Sequence, residues 1–280
     1  MPQMIKNRRI LVTGGAGSIG SELVRQLAPN NKVFIIDQNE TGAFDLREEL
    51  KQDGYWVHSR TGDIRDINVV KDVFEDFKPQ YVFHAAALKH VTPNEEYPLE
   101  AIQTNILGTY NVMSEAKRWE CLEKFVFIST DKVVNAHSIM GATKRVGEIM
   151  VRNQGKGFIA VRFGNVMGSR GSLIPLWQNQ INRGKPITVT DERMKRYMMT
   201  IPDACELVIQ ASQLGKGGEC FILDMGEQVN IFELANKIVK GTNIKIKTIG
   251  VRQGETLEEK LMTEEEERSA KKVGKFFILT

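Results

Sequence analysis

Ser129-Thr130-Asp131-Lys132 sets an alcohol, a carboxylate and an amine side by side. Met140-Gly141-Ala142-Thr143-Lys144 follows, with a second amine one helical turn after a methionine. Such a set can move protons, with a carboxylate as acid, an amine as base and a hydroxyl as relay. Neither Asp131 nor Lys132 suits that work unperturbed, because free aspartate titrates at about 3.9 and free lysine at about 10.4. Burial must raise Asp131 or lower Lys132. A nearby cation such as Lys144 pushes Lys132 in the useful direction and Asp131 in the wrong one, so the groups would titrate as a coupled set. Alone, Asp131-Lys132 reads better as a surface ion pair. Its place directly after the apolar run Phe125-Val126-Phe127-Ile128 favours chemistry instead.

The elements that must hold these groups appear as alternating strand and helix signals. Residues 9–12, 32–36, 81–83 and 125–128 are short apolar runs rich in β-branched and aromatic side chains, as buried parallel strands are. Between them, residues 18–28, 41–50 and 66–77 carry apolar positions at helical spacing, such as Ile19, Leu23, Val24 and Leu27. The alternation predicts an α/β fold, a Rossmann-type doubly wound parallel sheet. After Val161 the texture changes. Residues 163–171 are too glycine-rich to form a regular element, and short segments follow at 173–181, 187–190 and 202–214. The pattern predicts a dinucleotide-binding domain over residues 1–163 and a smaller C-terminal lobe over 164–280, partly interleaved with it.

Thr13-Gly14-Gly15-Ala16-Gly17-Ser18-Ile19-Gly20 joins the first strand to the first helix. Gly14, Gly17 and Gly20 let backbone approach a pyrophosphate and let the helix pack on the strand, while free N–H groups at the helix start face the phosphates. Asp37 ends the next strand, where a carboxylate accepts hydrogen bonds from both ribose hydroxyls of NAD and repels the 2′-phosphate of NADP. NAD is therefore the expected cofactor, with NADP the alternative. Asp63 and Ile64 follow the third strand, within reach of the adenine, and Asn39 is assigned to the same site. Ala85, Ala86 and Ala87 end the fourth strand, where small side chains let the backbone pass beneath a cofactor.

Composition narrows the class. With 38 basic and 35 acidic residues the net charge is +3, too slight for a nucleic-acid binder. No apolar run approaches the roughly 18 residues of a membrane span, and the first six residues lack a signal peptide's apolar core. Cys121, Cys205 and Cys220 are scattered and unpaired in spacing, so neither a disulfide framework nor a zinc site is expected, and a reducing cytoplasm is. The run Glu264-Glu265-Glu266-Glu267 reads as a helix start or a solvated helix face.

The glycine-rich turn, His84-Ala85-Ala86-Ala87-Leu88-Lys89-His90-Val91, Thr104-Asn105-Ile106-Leu107-Gly108-Thr109 and the two segments that open this section together resemble the extended short-chain dehydrogenase/reductase superfamily. With Val161-Arg162-Phe163-Gly164-Asn165-Val166, Gly168-Ser169-Arg170-Gly171-Ser172 and Arg252-Gln253-Gly254-Glu255-Thr256-Leu257, the pattern is similar to UDP-N-acetylglucosamine 4,6-dehydratases of polysaccharide biosynthesis. The resemblance runs from about residue 8 to residue 260. It implies a redox-neutral elimination: oxidation at C4 of the sugar, loss of the C5 proton and of the C6 hydroxyl as water, then reduction at C6. It implies Asp131 as the acid toward the C6 oxygen, Lys132 as the base at C5, and Lys144 on the nicotinamide ribose. The superfamily's tyrosine is replaced by Met140, which neither accepts nor donates a proton and packs as an apolar group. Thr130 with an ordered water is the expected relay for the C4 hydroxyl proton.

The resemblance further assigns Lys89, His90, Asn165, Arg196 and Arg252 to a UDP-N-acetylhexosamine, with Glu255 on the uridine ribose; arginine and lysine suit diphosphates. It implies a homo-oligomer built on the helices flanking the lysine-bearing one. Relatives often carry Asn-Pro-x-Asn where this chain has Asn135-Ala136-His137-Ser138, so His137 is given no role. Many relatives of the methionine branch also have a membrane-spanning N-terminal half, and this chain matches their soluble catalytic part. A C5-inverting dehydratase, a 5-epimerase and a non-catalytic dinucleotide-binding protein remain the alternatives.

Overall fold

A computed structural model describes residues 4–280. Residues 1–3, part of the stretch judged too polar for a signal peptide, lie outside the described residues. The chain alternates β1 (Arg9–Thr13), α1 (Ser18–Leu27), β2 (Lys32–Asp37), α2 (Glu40–Gln52), β3 (Val57–Thr61), α3 (Ile67–Phe77) and β4 (Tyr81–His84). Two short helices, α4 (Val91–Glu96) and α5 (Pro98–Ala101), lead through a π-helical segment (Ile102–Gly108) into α6 (Thr109–Lys117). Then come β5 (Lys124–Ile128), α7 (Ile139–Arg152) and β6 (Phe158–Arg162). The remainder comprises β7 (Asn165–Val166), α8 (Leu173–Asn182), β8 (Ile187–Val189), β9 (Lys195–Arg196), β10 (Met198–Met199), α9 (Ile201–Leu214), β11 (Cys220–Leu223), β12 (Val229–Asn230), α10 (Ile231–Val239), β13 (Ile246–Thr248), α11 (Glu264–Ser269), β14 (Lys271–Val273) and β15 (Phe276–Leu279).

The main sheet has the order β14-β15-β11-β6-β5-β4-β1-β2-β3. It is parallel from β3 to β11, and β15 and β14 close it antiparallel. The order reverses between β1 and β4, the switch point where ligands bind beyond the strand C-termini of such sheets. Strands β1, β4, β5 and β6 are buried on both faces, which explains their unbroken apolar runs.

The region after Val161 divides between two cores. Ala204, Val208, Phe221, Phe276 and Leu279 join the large core around the main sheet. Trp177, Ile187, Val189, Met194, Ile231 and Ala235 form a second, small one. The glycine-rich stretch, expected to be wholly irregular, contains β7, which pairs in parallel with β10. Two residues of strand fit there because Asn165 N and Met167 N reach the Tyr197 and Met199 carbonyls between flanking glycines. Glu264–Glu267 opens α11, where Thr263 and Glu266 form a capping box and the acidic side chains face the positive end of the helix. Among the described residues, no helix is long and apolar enough to cross a membrane.

Candidate active site

The glycines of the first turn are fixed by close backbone approach. Gly14 has φ +69, and a Cβ there would lie 2.6 Å from Ala86 N. A Cβ on Gly20 would lie 2.1 Å from the Gly14 carbonyl oxygen. The turn is therefore packed against β4 and against itself, with the start of α1 open toward a cleft of about 570 Å³. Gly14, Gly17, Ser18, Ile19, Gly20, Ala85, Ala87, Thr130, Met140 and Lys144 border this cleft. Ala86 lies behind it, against Gly14. Asp37 Oδ2 accepts from Ala16 N at 2.8 Å and Oδ1 from Asn39 N at 2.8 Å, so the carboxylate is fixed beside the turn. Asn39 also caps α2. Asp63 is paired with Arg65 at 2.6 Å, and buried Ile64 lies so close to Gly108 that a Cβ there would meet its Cδ1 at 2.6 Å. The cradle, its fixed carboxylate and the helix N-terminus fit a dinucleotide.

The expected proton-handling groups come together at the end of β5. Thr130 precedes a single 3₁₀ turn, Asp131–Val133, and its hydroxyl donates to Asp131 Oδ1 at 3.0 Å. Lys132 Nζ donates to Asp131 Oδ1 at 2.9 Å and to Asn165 Oδ1 at 3.2 Å. Gly141 lets α7 dock on this turn, since a Cβ there would lie 2.2 Å from the Lys132 carbonyl oxygen. Ser138 caps α7 through Gly141 N. Asn105 of the π-helical segment donates to Thr143 and clamps both backbone groups of Leu88, tying α7 to the loop after β4. His137 makes none of these contacts.

Asp131 is fully buried and borders neither cleft, and its Oδ2 is a buried atom without a hydrogen-bond partner among the described residues. Gly164 leaves the space in front of it: a Cβ there would lie 2.9 Å from Oδ2. Of the two shifts that the chemistry was expected to need, the lowering of Lys132 does not occur. Burial pulls its pKa down, but Asp131 and then Glu259 outweigh burial, so the value is raised. Lys144 behaves oppositely. It stands 4.1 Å above the Phe127 ring, with no hydrogen bond among the described residues, and burial lowers its pKa to about 7 despite Glu148 one turn on.

A second cleft of about 470 Å³ meets the first at Lys89, Lys132 and Asn165. His90, Arg196, Arg252, Glu255 and Glu259 also border it. Lys89 Nζ donates to the Arg170 carbonyl at 2.8 Å, and burial lowers its pKa. Arg196 directs its guanidinium largely at backbone, to the carbonyls of Lys195 (2.7 Å), Thr256 (2.7 Å) and Leu257 (3.1 Å). Glu255 closes a turn with Arg252, whose carbonyl accepts from Glu255 N.

A profile of the polysaccharide biosynthesis protein family matches residues 10–280. The chain belongs to that family. It is 46% identical over 277 residues to the capsular polysaccharide biosynthesis protein CapD of Staphylococcus aureus, covering 94% of this chain and 46% of CapD. The chain thus spans under half the length of that curated relative. Among solved structures it is similar to Pen from Bacillus thuringiensis, with TM-score 0.90, 38% identity and coverage of 99% of this chain and 89% of the other. It is also similar to the UDP-glucose 4-epimerase of Thermus thermophilus in complex with NAD, with TM-score 0.77, 26% identity and 89% of each chain covered. The fold of this family member is that of the short-chain dehydrogenase/reductases.

Three features escaped the sequence. His84 is buried between the Thr13 and Thr109 hydroxyls at 2.7 and 2.9 Å, and burial lowers its pKa to about 3, so it is neutral. Glu148 and Arg162, both fully buried, form a bidentate pair that also takes in Ser129 and Glu266 behind the active turn. Glu259 lies 3.6 Å from Lys132 Nζ. Its sequence signal was its place two residues after Leu257, just beyond the recognised Arg252–Leu257 segment.

Proposed function

We propose that the chain is a nucleotide-sugar 4,6-dehydratase acting on UDP-N-acetylglucosamine, with retention at C5 and a recycled NAD. The observation that carries this reading is the Asp131–Lys132 hydrogen bond at the junction of a dinucleotide cleft and a second, cation-lined cleft. NAD, bound by the Gly14–Gly20 turn, Asp37, Asn39, Asp63, Ile64, Ala85–Ala87 and Lys144, would supply the hydride acceptor for C4 and the donor for C6. Lys89, His90, Asn165, Arg196, Arg252 and Glu255 would border the UDP-sugar. Thr130 receives the C4 hydroxyl proton and relays it along its 3.0 Å hydrogen bond to Asp131. Asp131 delivers a proton to the departing C6 oxygen, and Lys132, once neutral, takes the C5 proton. Retention at C5 rests on the resemblance of Met140 and Ala142-Thr143-Lys144-Arg145 to the methionine branch. A homo-oligomer through the helices flanking the lysine-bearing α7, such as α6 with its exposed Tyr110, and a cytoplasmic setting, complete the reading.

NMR of the product formed from UDP-N-acetylglucosamine in deuterated water tests it. The expected product is the 4-keto-6-deoxy sugar nucleotide, deuterated at C5 with the gluco configuration kept there. The similarity to a UDP-glucose 4-epimerase supports a second reading. That reading predicts the C4 epimer with C6 still hydroxylated. Absence of any 4-keto product with UDP-N-acetylhexosamines would sink the dehydratase reading.

A further inference from the structure

The proton inventory of this site is one position short if Asp131 and Lys132 act alone. Over a turnover the hydride leaving C4 returns at C6, and the proton leaving C5 returns at C5. The proton that converts the C6 hydroxyl into water therefore originates on the C4 hydroxyl and must be stored in between. At rest Asp131 is the carboxylate partner of a protonated Lys132. Once Asp131 holds the C4 proton, an acid is ready, but Lys132 is still an ammonium and nothing can take the C5 proton. An ionised phenol at position 140 would store the extra proton, and Met140 cannot.

We infer that Glu259 is the third proton-holding group of this site, a positioning residue that grips Lys132 from the sugar side and takes its proton while Asp131 is loaded. The inference rests on the dehydratase reading above. Glu259 Oε1 lies 3.6 Å from Lys132 Nζ, which also bonds Asp131 at 2.9 Å. Of these two carboxylates only Glu259 borders the second cleft. It is nearly buried, its side chain 10% exposed, and the segment carrying it is anchored at four points. Arg196 holds the Thr256 and Leu257 carbonyls, Lys195 N donates to Leu257 O, Gln228 donates to Glu259 O at 2.9 Å, and buried Arg162 holds Leu261 O at 2.9 Å. That anchoring aims one carboxylate at one amine.

The steps then balance. The C4 proton passes through Thr130 to Asp131, and Lys132 gives its proton to Glu259, leaving a neutral amine and two neutral carboxyl groups. Lys132 removes the C5 proton while Asp131 protonates the C6 oxygen; the C6–O bond breaks and water leaves. After hydride reaches C6, Lys132 returns its proton to C5 and Glu259 returns its own to Lys132, so all three groups end as they began. The charged groups facing Lys132 are Asp131 on its own turn, Glu259 on the C-terminal segment and Arg196 on β9, the last 4.0 Å from Glu259. Lys89 and Lys144 border the adjoining clefts.

Glu259→Gln keeps the shape and removes the proton site. The first measurement needs no turnover: ¹³Cε NMR titration of Lys132, assigned through Lys132→Arg, in the full chain with and without Glu259→Gln. Lys132 should titrate about one pH unit lower in the variant, because an opposite charge has been removed. In steady state, kcat on UDP-N-acetylglucosamine should fall about 100-fold with KM changed less than about threefold, and Glu259→Asp should recover part of the loss. A Lys132 titration that ignores Glu259, or a loss that appears only as a lower melting temperature and a higher KM, overturns the inference. A wild-type chain that turns over no UDP-N-acetylhexosamine, with Lys132 still responding to Glu259, defeats the dehydratase reading and leaves the charge pairing standing.

Discussion

Two lysines border the dinucleotide cleft and are tuned in opposite directions. Lys132 sits between Asp131 and Glu259 and is held protonated. Lys144 sits above a phenyl ring with no hydrogen-bonded acceptor among the described residues, and burial lowers its pKa to about 7. Both are largely removed from solvent, with Lys132 the more exposed, its side chain 20% accessible. Burial alone therefore does not set the charge of an amine here; the acceptors within reach do. The division suits the proposed roles. A group that trades protons with the sugar is placed among carboxylates that trade protons with it. A group that meets a ribose beside a cationic nicotinamide gains from being only partly charged.

The contrast breaks most sharply at Asp131. Asp131→Asn removes the acid and one of the two carboxylates raising Lys132, so kcat should fall about 10³-fold, with the Lys132 titration moving to lower pH. Steady-state kinetics and the same NMR titration check both. A smaller effect, read as stability, is expected behind Lys144. Glu148→Gln leaves Arg162 with only Glu266 as a charged partner among the described residues, and breaking a buried pair costs about 3–5 kcal/mol. Chemical denaturation measures it. The same change removes the one group that raises Lys144, so Lys144 should titrate below its wild-type value.

Lys144→Met gives a pH-dependent effect whose sign follows from the lowered pKa. The folded chain releases the Lys144 proton at about 7, whereas the unfolded chain keeps it to about 10.4. Between those values the unfolded state holds more protons, so wild-type stability rises with pH across that window, and the penalty is fully present below pH 7. The cofactor-free Lys144→Met variant should therefore be more stable than wild type by about 2–4 kcal/mol at pH 6, with the advantage gone near pH 11. Equal differences at both pH values would show that Lys144 is not the depressed group.

The cofactor half was legible in the sequence because its rules are local. Gly17 and Gly20 encode contacts within a few residues, Gly14 encodes the turn's approach to the end of the neighbouring β4, and Asp37 meets Ala16 across adjacent parallel strands whose order the motif implies. The charge of Lys132 was only partly legible: its neighbour Asp131 is the larger cause of the raised pKa, but the second, Glu259, is placed by a segment far along the chain and fixed through Arg196, Gln228 and Arg162. Arg196 illustrates the same limit. Its type suggested a diphosphate ligand; the sequence did not show that its guanidinium, while bordering the second cleft, would also hold the backbone carbonyls of Lys195, Thr256 and Leu257. Burial of Asp131, which accords with the preference for chemistry over a surface ion pair, involves Gly164 and the Phe163 carbonyl arriving from beyond β6.

Met140→Tyr gives the smallest effect and asks whether the proton inventory or mere packing explains the methionine. Met140 is buried at the start of α7, one turn before Lys144, and borders the dinucleotide cleft. A phenol there adds volume in a packed place, an overpacking cost of about 1 kcal/mol. With Asp131, Lys132 and Glu259 intact, the added proton site is redundant, so kcat should fall about threefold. In a Glu259→Gln background the phenol supplies the missing storage position, and Lys144 alongside eases its ionisation. There the same substitution should raise kcat about tenfold. A double-mutant cycle in kcat reads the change of sign directly. If Met140→Tyr lowers activity equally in both backgrounds, Met140 is only a packing residue and the C4 proton leaves by a route that uses neither Glu259 nor position 140.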